Sequence, residues 1–157
     1  MLKATFKTTQ ELRSFLEEFN FQDTKFCVNP DYVDAIIGIS DEGKVIYDYD
    51  KMVEHLAKIY EKEGSTDDPY TDAMEWIDYN CNIPYWEIVT LNEDEGGPLE
   101  NADYEEDFIA EFEAYKKAVI GLNTHGILLI NSEFVTCQNI DEIESILKKY
   151  EVDYKIV

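Results

Sequence analysis

The order of apolar and polar positions divides the chain into alternating strand-like and helix-like segments. Leu2 to Lys7 alternates and is rich in β-formers, which predicts a short strand. Thr8 opens a capping box with Glu11, and Leu12, Phe15, Leu16 and Phe19 recur at helical spacing, so a helix ending near Asn20 is expected. Thr24 to Val28 reads as a strand broken by Asn29-Pro30. The apolar run Ala35-Ile36-Ile37-Gly38-Ile39, the turn Asp41-Glu42-Gly43 and the run Lys44-Val45-Ile46-Tyr47 together predict a β-hairpin. Asp50 is placed to cap a helix with Val53, Leu56, Ala57 and Tyr60 on one face, stopped by Gly64. Asp68-Pro69 starts another, with proline at the first helical position. Tyr70, Met74, Ile77 and Cys81 form its expected inner stripe, and Ile83-Pro84 ends it.

The second half repeats these themes. Tyr85 to Leu91 predicts a strand, and Asn92 to Glu100, with Gly96-Gly97-Pro98, predicts a loop. That loop is the expected subdomain boundary, near residues 92–100, within a single compact domain spanning 1–157. A helix from about Asp103 carries Tyr104, Phe108, Phe112 and Tyr115 at helical spacing, with Lys116-Lys117 at its end, where cations suit the helix dipole. Ala118 to Leu122, the turn Asn123 to Gly126 and Ile127 to Ile130 match the first hairpin at a constant offset of 83 residues, which suggests repeated hairpin units. Phe134 to Cys137 reads as a strand, Asn139 with Glu142 as a capping box, and Ile140, Ile143, Leu147 and Tyr150 as the helix behind it; Tyr154 to Val157 closes as a strand. The expected class is α+β, a mostly antiparallel sheet with about five packed helices.

Charge changes this picture of an ordinary small domain. Between Glu63 and Tyr115, 53 residues pass without a Lys or Arg while seventeen of the 35 acidic residues accumulate, so most of the net charge of −22 sits in one third of the chain. Aromatics interleave with the acids (Tyr70, Trp76, Tyr79, Tyr85, Trp86, Tyr104, Phe108), which argues for a folded acidic surface rather than a disordered tail. Asp68, Asp72, Glu75 and Asp78 are expected on the outer face of one helix, Glu93, Asp94 and Glu95 in the loop, and Asp103, Glu106, Asp107 and Glu113 on the next helix. Such a surface repels phosphates, which argues against direct nucleic-acid binding, and its natural complement is a basic protein. Carboxylates carried along helix faces can compete with nucleic acid for a basic groove; the plainer reading is a solvated face that confers solubility.

Candidate chemistry adds little. The two histidines, His55 and His125, lie on a helix and in a hairpin turn, with no Ser or Cys visibly paired with either. With so many carboxylates an acid–base pair can always be drawn, so none is informative. A calcium loop beginning at Asp48 lacks the required Gly and Glu; Asn92 to Asp103 fits better but has Gly96 at a ligand position. Gly38 and Gly43 form neither a dinucleotide nor a P-loop fingerprint. Cys27, Cys81 and Cys137 are odd in number and far apart, which points to free thiols in a reducing cytoplasm. Neither a leader nor a membrane span is expected. No catalytic residue, metal or cofactor is expected.

The stretch Asp34 to Asn80 resembles a family of short acidic proteins from bacterial phages and mobile elements. Gly38, Asp48-Tyr49-Asp50 and Glu75-Trp76-Ile77-Asp78-Tyr79-Asn80 carry the likeness, while Ile83-Pro84-Tyr85 follows the family's apolar continuation only in part. The resemblance brings no catalytic residues. It implies a counter-defence factor of the anti-restriction or anti-CRISPR type, acting in the cytoplasm of a bacterial host. The expected function is a non-enzymatic inhibitor that blocks the basic nucleic-acid-binding groove of a host defence nuclease. The alternative is a regulatory or assembly module that binds a protein through Trp76, Tyr79, Tyr85 and Trp86.

Overall fold

A computed structural model of the chain describes residues 1–27, 30–91, 99 and 102–157. It divides into two compact units, residues 2–88 and residues 89–157 together with Met1. The loop expected at 92–100 lies, apart from Leu99, outside the described residues.

The first unit runs β1 (Leu2–Lys3), α1 (Thr9–Glu18), a 3-10 segment (Pro30–Ala35), β2 (Ile36–Ile39), β3 (Val45–Asp48), α2 (Tyr49–Glu63) and α3 (Pro69–Asn80). β2 pairs antiparallel with both β1 and β3. Its core gathers Leu12 and Leu16 from α1, Ile36, Ile39, Val45 and Tyr47 from the strands, and Met52, Val53, Ala73 and Ile77 from α2 and α3. Leu12, Leu16, Val53 and Ile77 come from the apolar faces that the spacing predicts, since such a stripe can leave water without burying charge, while Met52 and Ala73 lie outside the predicted stripes.

The second unit contains β4 (Glu87–Leu91, within which the division falls), α4 (Glu106–Phe112), a 3-10 segment (Glu113–Ala118), β5 (Val119–Asn123), β6 (Leu128–Ile130), a short 3-10 turn (Ser132–Phe134), α5 (Ile140–Lys149) and β7 (Tyr154–Ile156). β5 pairs antiparallel with β4 and β6, whereas β7 runs parallel to β6. Parallel neighbours need a crossover, and α5 is that crossover. Phe108, Phe112, Leu128, Ile130, Ile143 and Leu147 form the core. The amino group of Met1 donates to the Val157 carbonyl at 2.6 Å and to Ser132 Oγ at 2.7 Å. The class is α+β, with five α-helices among the described residues and a mostly antiparallel sheet in which β1–β2, β2–β3, β4–β5 and β5–β6 pair antiparallel and β6–β7 parallel.

The two hairpins share their register at the offset of 83. Ile36 faces Tyr47 as Val119 faces Ile130, and Gly38 faces Ile46 as Gly121 faces Leu129. The register shift falls between Ile36 and Gly38 in one and between Val119 and Gly121 in the other. In the turns, the Gly43 N–H donates to Ser40 O (2.9 Å) and the Gly126 N–H to Asn123 O (3.0 Å), with φ of 84° and 76°, a conformation open mainly to glycine. Asp48, the last residue of β3, and Asn131, the residue after β6, are again 83 apart, and each accepts the backbone N–H of the residue two positions on.

Several expected elements differ. Residues Thr24 to Cys27 form no strand; Thr24 Oγ1 donates to Gly43 O (2.8 Å), and the Cys27 N–H donates to Tyr47 Oη (3.0 Å). Phe26 and Cys27 still pack against the core, so the apolar pattern reported burial rather than pairing. No strand forms at Phe134 to Cys137. The Asn139 side chain accepts from the Thr136 N–H (2.7 Å) and donates to Phe134 O (3.0 Å), so local side-chain bonds capture that backbone. Asn139 therefore makes no side-chain cap for α5. α2 is capped by Asp48, not Asp50, because Asp48 Oδ1 accepts the N–H groups of Asp50 and Lys51. The helix expected from Asp103 to Lys117 is an α-helix only over Glu106–Phe112 and 3-10 thereafter. Tyr104, Phe108 and Phe112 step by four, and Tyr115 and Ala118 by three, which is the 3-10 period.

Candidate protein-docking face

α3 begins where Asp68 accepts the Thr71 N–H at 3.2 Å, with Pro69 supplying the first helical residue. The helix buries Ala73 and Ile77. Tyr70, expected on the inner stripe, is 48% exposed. At about 100° per residue Tyr70 falls within about 20° of Ile77, so its exposure comes from its place in the first turn of the helix rather than from its facing. Asp68, Glu75 and Asp78 are exposed and Asp72 is half-buried.

Three of these four carboxylates, those of Asp68, Asp72 and Asp78, are held by neutral donors. The Thr71 hydroxyl and N–H keep the Asp68 carboxyl below its ordinary range. The Thr66 hydroxyl donates to Asp72 Oδ2. The Tyr49 hydroxyl bonds Asp78, and burial, followed by that carboxylate, drives the phenol's pKa upward. Tyr60 is raised in the same direction by burial and then by the charges of Asp72 and Glu63. Among the described residues none of the four meets a Lys or Arg in an ion pair. The charge of the three aspartates is fixed in place without being neutralised.

Beside this row, α2 and α3 flank a shallow, open groove of about 510 Å³. Tyr60 and Thr66 line it on one side, and Asp72, Glu75, Trp76 and Tyr79 of α3 on the other, with no basic residue among the described lining. Trp76 is 42% exposed and Tyr79 89%. The Asn80 amide donates to Trp76 O at 2.9 Å, tying off the last turn of α3. The sequence had marked Asp72, Glu75, Trp76 and Tyr79. Tyr60 and Thr66 were missed as site residues, because only the packing of α2 on α3 brings them to the same depression.

The acids of the second unit have a different setting. Asp103, Glu106, Asp107 and Glu113 are all exposed, but only Glu106 and Asp107 ride on α4, which buries Phe108 and Phe112; Asp103 precedes it and Glu113 opens the 3-10 segment that follows. One cation of α5 reaches α4, where Lys149 Nζ lies 2.7 Å from Glu111, while Lys148 pairs within α5 with Glu144 at 3.2 Å. The Lys149 bond holds the Glu111 carboxyl below its usual range. Glu93, Asp94 and Glu95 lie outside the described residues.

The four aromatics named for a docking surface separate. Trp76, Tyr79 and Tyr85 are exposed, whereas Trp86 packs edge-on against Tyr47 and donates its indole N–H to Cys81 O at 3.0 Å. His55 Nε2 stands 4.0 Å from an Asp34 carboxylate that is itself 64% exposed, a contact long for a catalytic hydrogen bond. His125 is exposed in the β5–β6 turn. Among the described residues no three His, Cys, Asp or Glu side chains stand together to hold a metal ion, and no helix is long and apolar enough to cross a membrane. No protein-family model, curated protein or solved structure matches the chain.

Proposed function

We propose that this chain is a non-enzymatic inhibitor that places its acidic face in the basic nucleic-acid-binding groove of a partner protein. The observation that carries the reading is the row Asp68, Asp72, Glu75 and Asp78, its three aspartates held by hydroxyl and backbone donors and none of the four paired with a cation among the described residues. Carboxylates used only for solubility tolerate interspersed Lys and Arg, and these have none nearby in sequence. A groove shaped for phosphates meets such a row with complementary charge and releases counterions on binding. The likeness to proteins of phages and mobile elements makes a host defence nuclease the fitting partner, and a bacterial cytoplasm the fitting place.

The test is competition between this protein and nucleic acid for a candidate nuclease, measured across a salt series. Displacement should be strong at about 50 mM salt and lost by about 500 mM, because the attraction is screened and little counterion release remains to drive it. The double variant Glu75→Lys/Asp78→Lys should lose it at every salt concentration. Displacement that is insensitive to both salt and charge reversal refutes the reading.

The exposed Trp76, Tyr79 and Tyr85 favour a second reading, an assembly module whose binding energy is aromatic. That module would bind its partner equally well at low and high salt.

A further inference from the structure

The groove between α2 and α3 joins three features that the acidic row alone does not have. It is concave, about 510 Å³ in volume, and it exposes aromatic rings on a surface otherwise rich in charge. Asp72, within its wall, is half-buried, hydrogen-bonded by Thr66 and close enough to Tyr60 to raise that phenol's pKa. A carboxylate removed from part of its hydration and fixed by a neutral donor is prepared for a cation, and Glu75 supplies a second negative charge from the same helix face. Tyr60 lies in the last turn of α2, and Tyr79 and Asn80 in the last turn of α3. Helix C termini carry partial negative charge, which adds to the same preference.

We infer that this groove is a receptor for an arginine side chain presented by a basic protein partner. The occupant follows from complementarity of charge and shape. A guanidinium is planar, weakly hydrated and able to stack on an indole or phenol face while its N–H fork reaches a carboxylate; an ammonium is compact and strongly hydrated and uses aromatic walls less well. Trp76 and Tyr79 supply the faces, and Asp72 and Glu75 the acceptors. The inference rests on the acidic-face reading and adds to it a defined anchor: the partner's groove contributes one arginine that leaves its own surface and enters this depression. Arg and the aromatic residues are the side chains that dominate interface energetics, so such an anchor would supply specificity that a charge row lacks.

The experiment is a titration of the whole chain with the peptide Ac-Gly-Arg-Gly-NH2, followed through the two indole N–H signals in a ¹⁵N-correlated NMR spectrum. The expected result is a saturable shift of the Trp76 indole at millimolar peptide, with the Trp86 indole, bound to Cys81 O, unmoved. Trp76→Ala and Asp72→Asn should each weaken binding at least fivefold; both side chains reach solvent, and an unchanged melting profile establishes that the fold persists. The matched citrulline peptide, neutral but of nearly the same shape, should not shift the signals, and this control needs no variant. Citrulline binding equal to arginine, an unmoved Trp76 signal, or tighter binding of the lysine peptide would each overturn the assignment. The titration involves no partner protein, so its failure leaves the acidic-face reading standing. Salt-insensitive displacement alongside an intact peptide site would overturn that reading alone.

Discussion

Gly121 offers the sharpest test of the packing that supports the second unit. A methyl group built on its Cα would stand 1.8 Å from the Thr90 carbonyl oxygen and 2.9 Å from Val89 Cγ2, both on the neighbouring strand. Carbon and oxygen approach across a sheet to about 3.3 Å, so Gly121→Ala must push β4 away by about 1.5 Å. A ladder bond starts near 2.9 Å and does not survive that displacement. Three residue pairs join β4 to β5, namely Val89–Asn123, Thr90–Leu122 and Leu91–Gly121. Losing two or three bonds at about 1 kcal/mol net each, with some buried groups left unsatisfied at about 1–3 kcal/mol, puts the cost near 3–5 kcal/mol. Native domains have only about 5–15 kcal/mol in total, so the variant should unfold at a much lower urea concentration. Gly126→Ala is the control: its φ is 76°, but nothing lies within 4 Å of the added methyl. There the left-handed conformation alone should cost about 1–2 kcal/mol. Urea titrations followed by circular dichroism measure both. A Gly121→Ala cost at or below that of Gly126→Ala would refute the close-approach account.

Cys81, whose pKa is pushed up to about 11 by burial and then by Cys27, should resist iodoacetamide at pH 8 while the exposed Cys137 reacts, as read by mass spectrometry. Because the folded value lies above the ordinary thiol value, the stabilisation is present below pH 9 and is lost as pH rises through about 11; a urea midpoint flat across that window would contradict the burial. Asp48→Ala, which removes the acceptor for two N–H groups at the start of α2, should cost about 1–2 kcal/mol by the same urea assay. Added salt should raise the melting temperature, since it screens the self-repulsion of a chain at −22, while weakening the affinity for a basic partner; parallel movement of the two would be inconsistent with the proposed role. Reversing Asp103, Glu106 and Glu113 to Lys tests the second unit's acids in the displacement assay: retained inhibition would confine the contact to α3.

The legible part of the fold was the part governed by period. Leu12 and Leu16, Val53 and Leu56, Phe108 and Phe112, and Ile143 and Leu147 are buried where their spacing places them, because a helix has one face to turn from water. The hairpins were legible from glycine and turn residues, whose backbone preferences are local. Segments whose hydrogen bonds go to distant or side-chain partners were not. Phe26 and Cys27 look like a strand in sequence, yet the Cys27 N–H goes to the Tyr47 hydroxyl, twenty residues on. The choice of Asp48 over Asp50 as cap depends on where β3 stops, and that is set by pairing with β2.

By itself, then, the sequence determined an α+β chain with two like hairpins, a run of carboxylates free of cations, and aromatics threaded through that run. These are properties of composition and local periodicity, and they hold in any packing. Tertiary structure alone decided which of those aromatics face solvent: Trp76 and Tyr79 do, while Trp86, in the same run, is turned inward by a bond to Cys81 and contact with Tyr47. It also decided that Tyr60 and Thr66 meet Asp72 and Trp76 in one groove, since Tyr60 and Trp76 belong to different helices and no local pattern encodes how closely two helices approach. Charge is additive along a chain, but a binding site is a juxtaposition, and juxtaposition is made by the core beneath it.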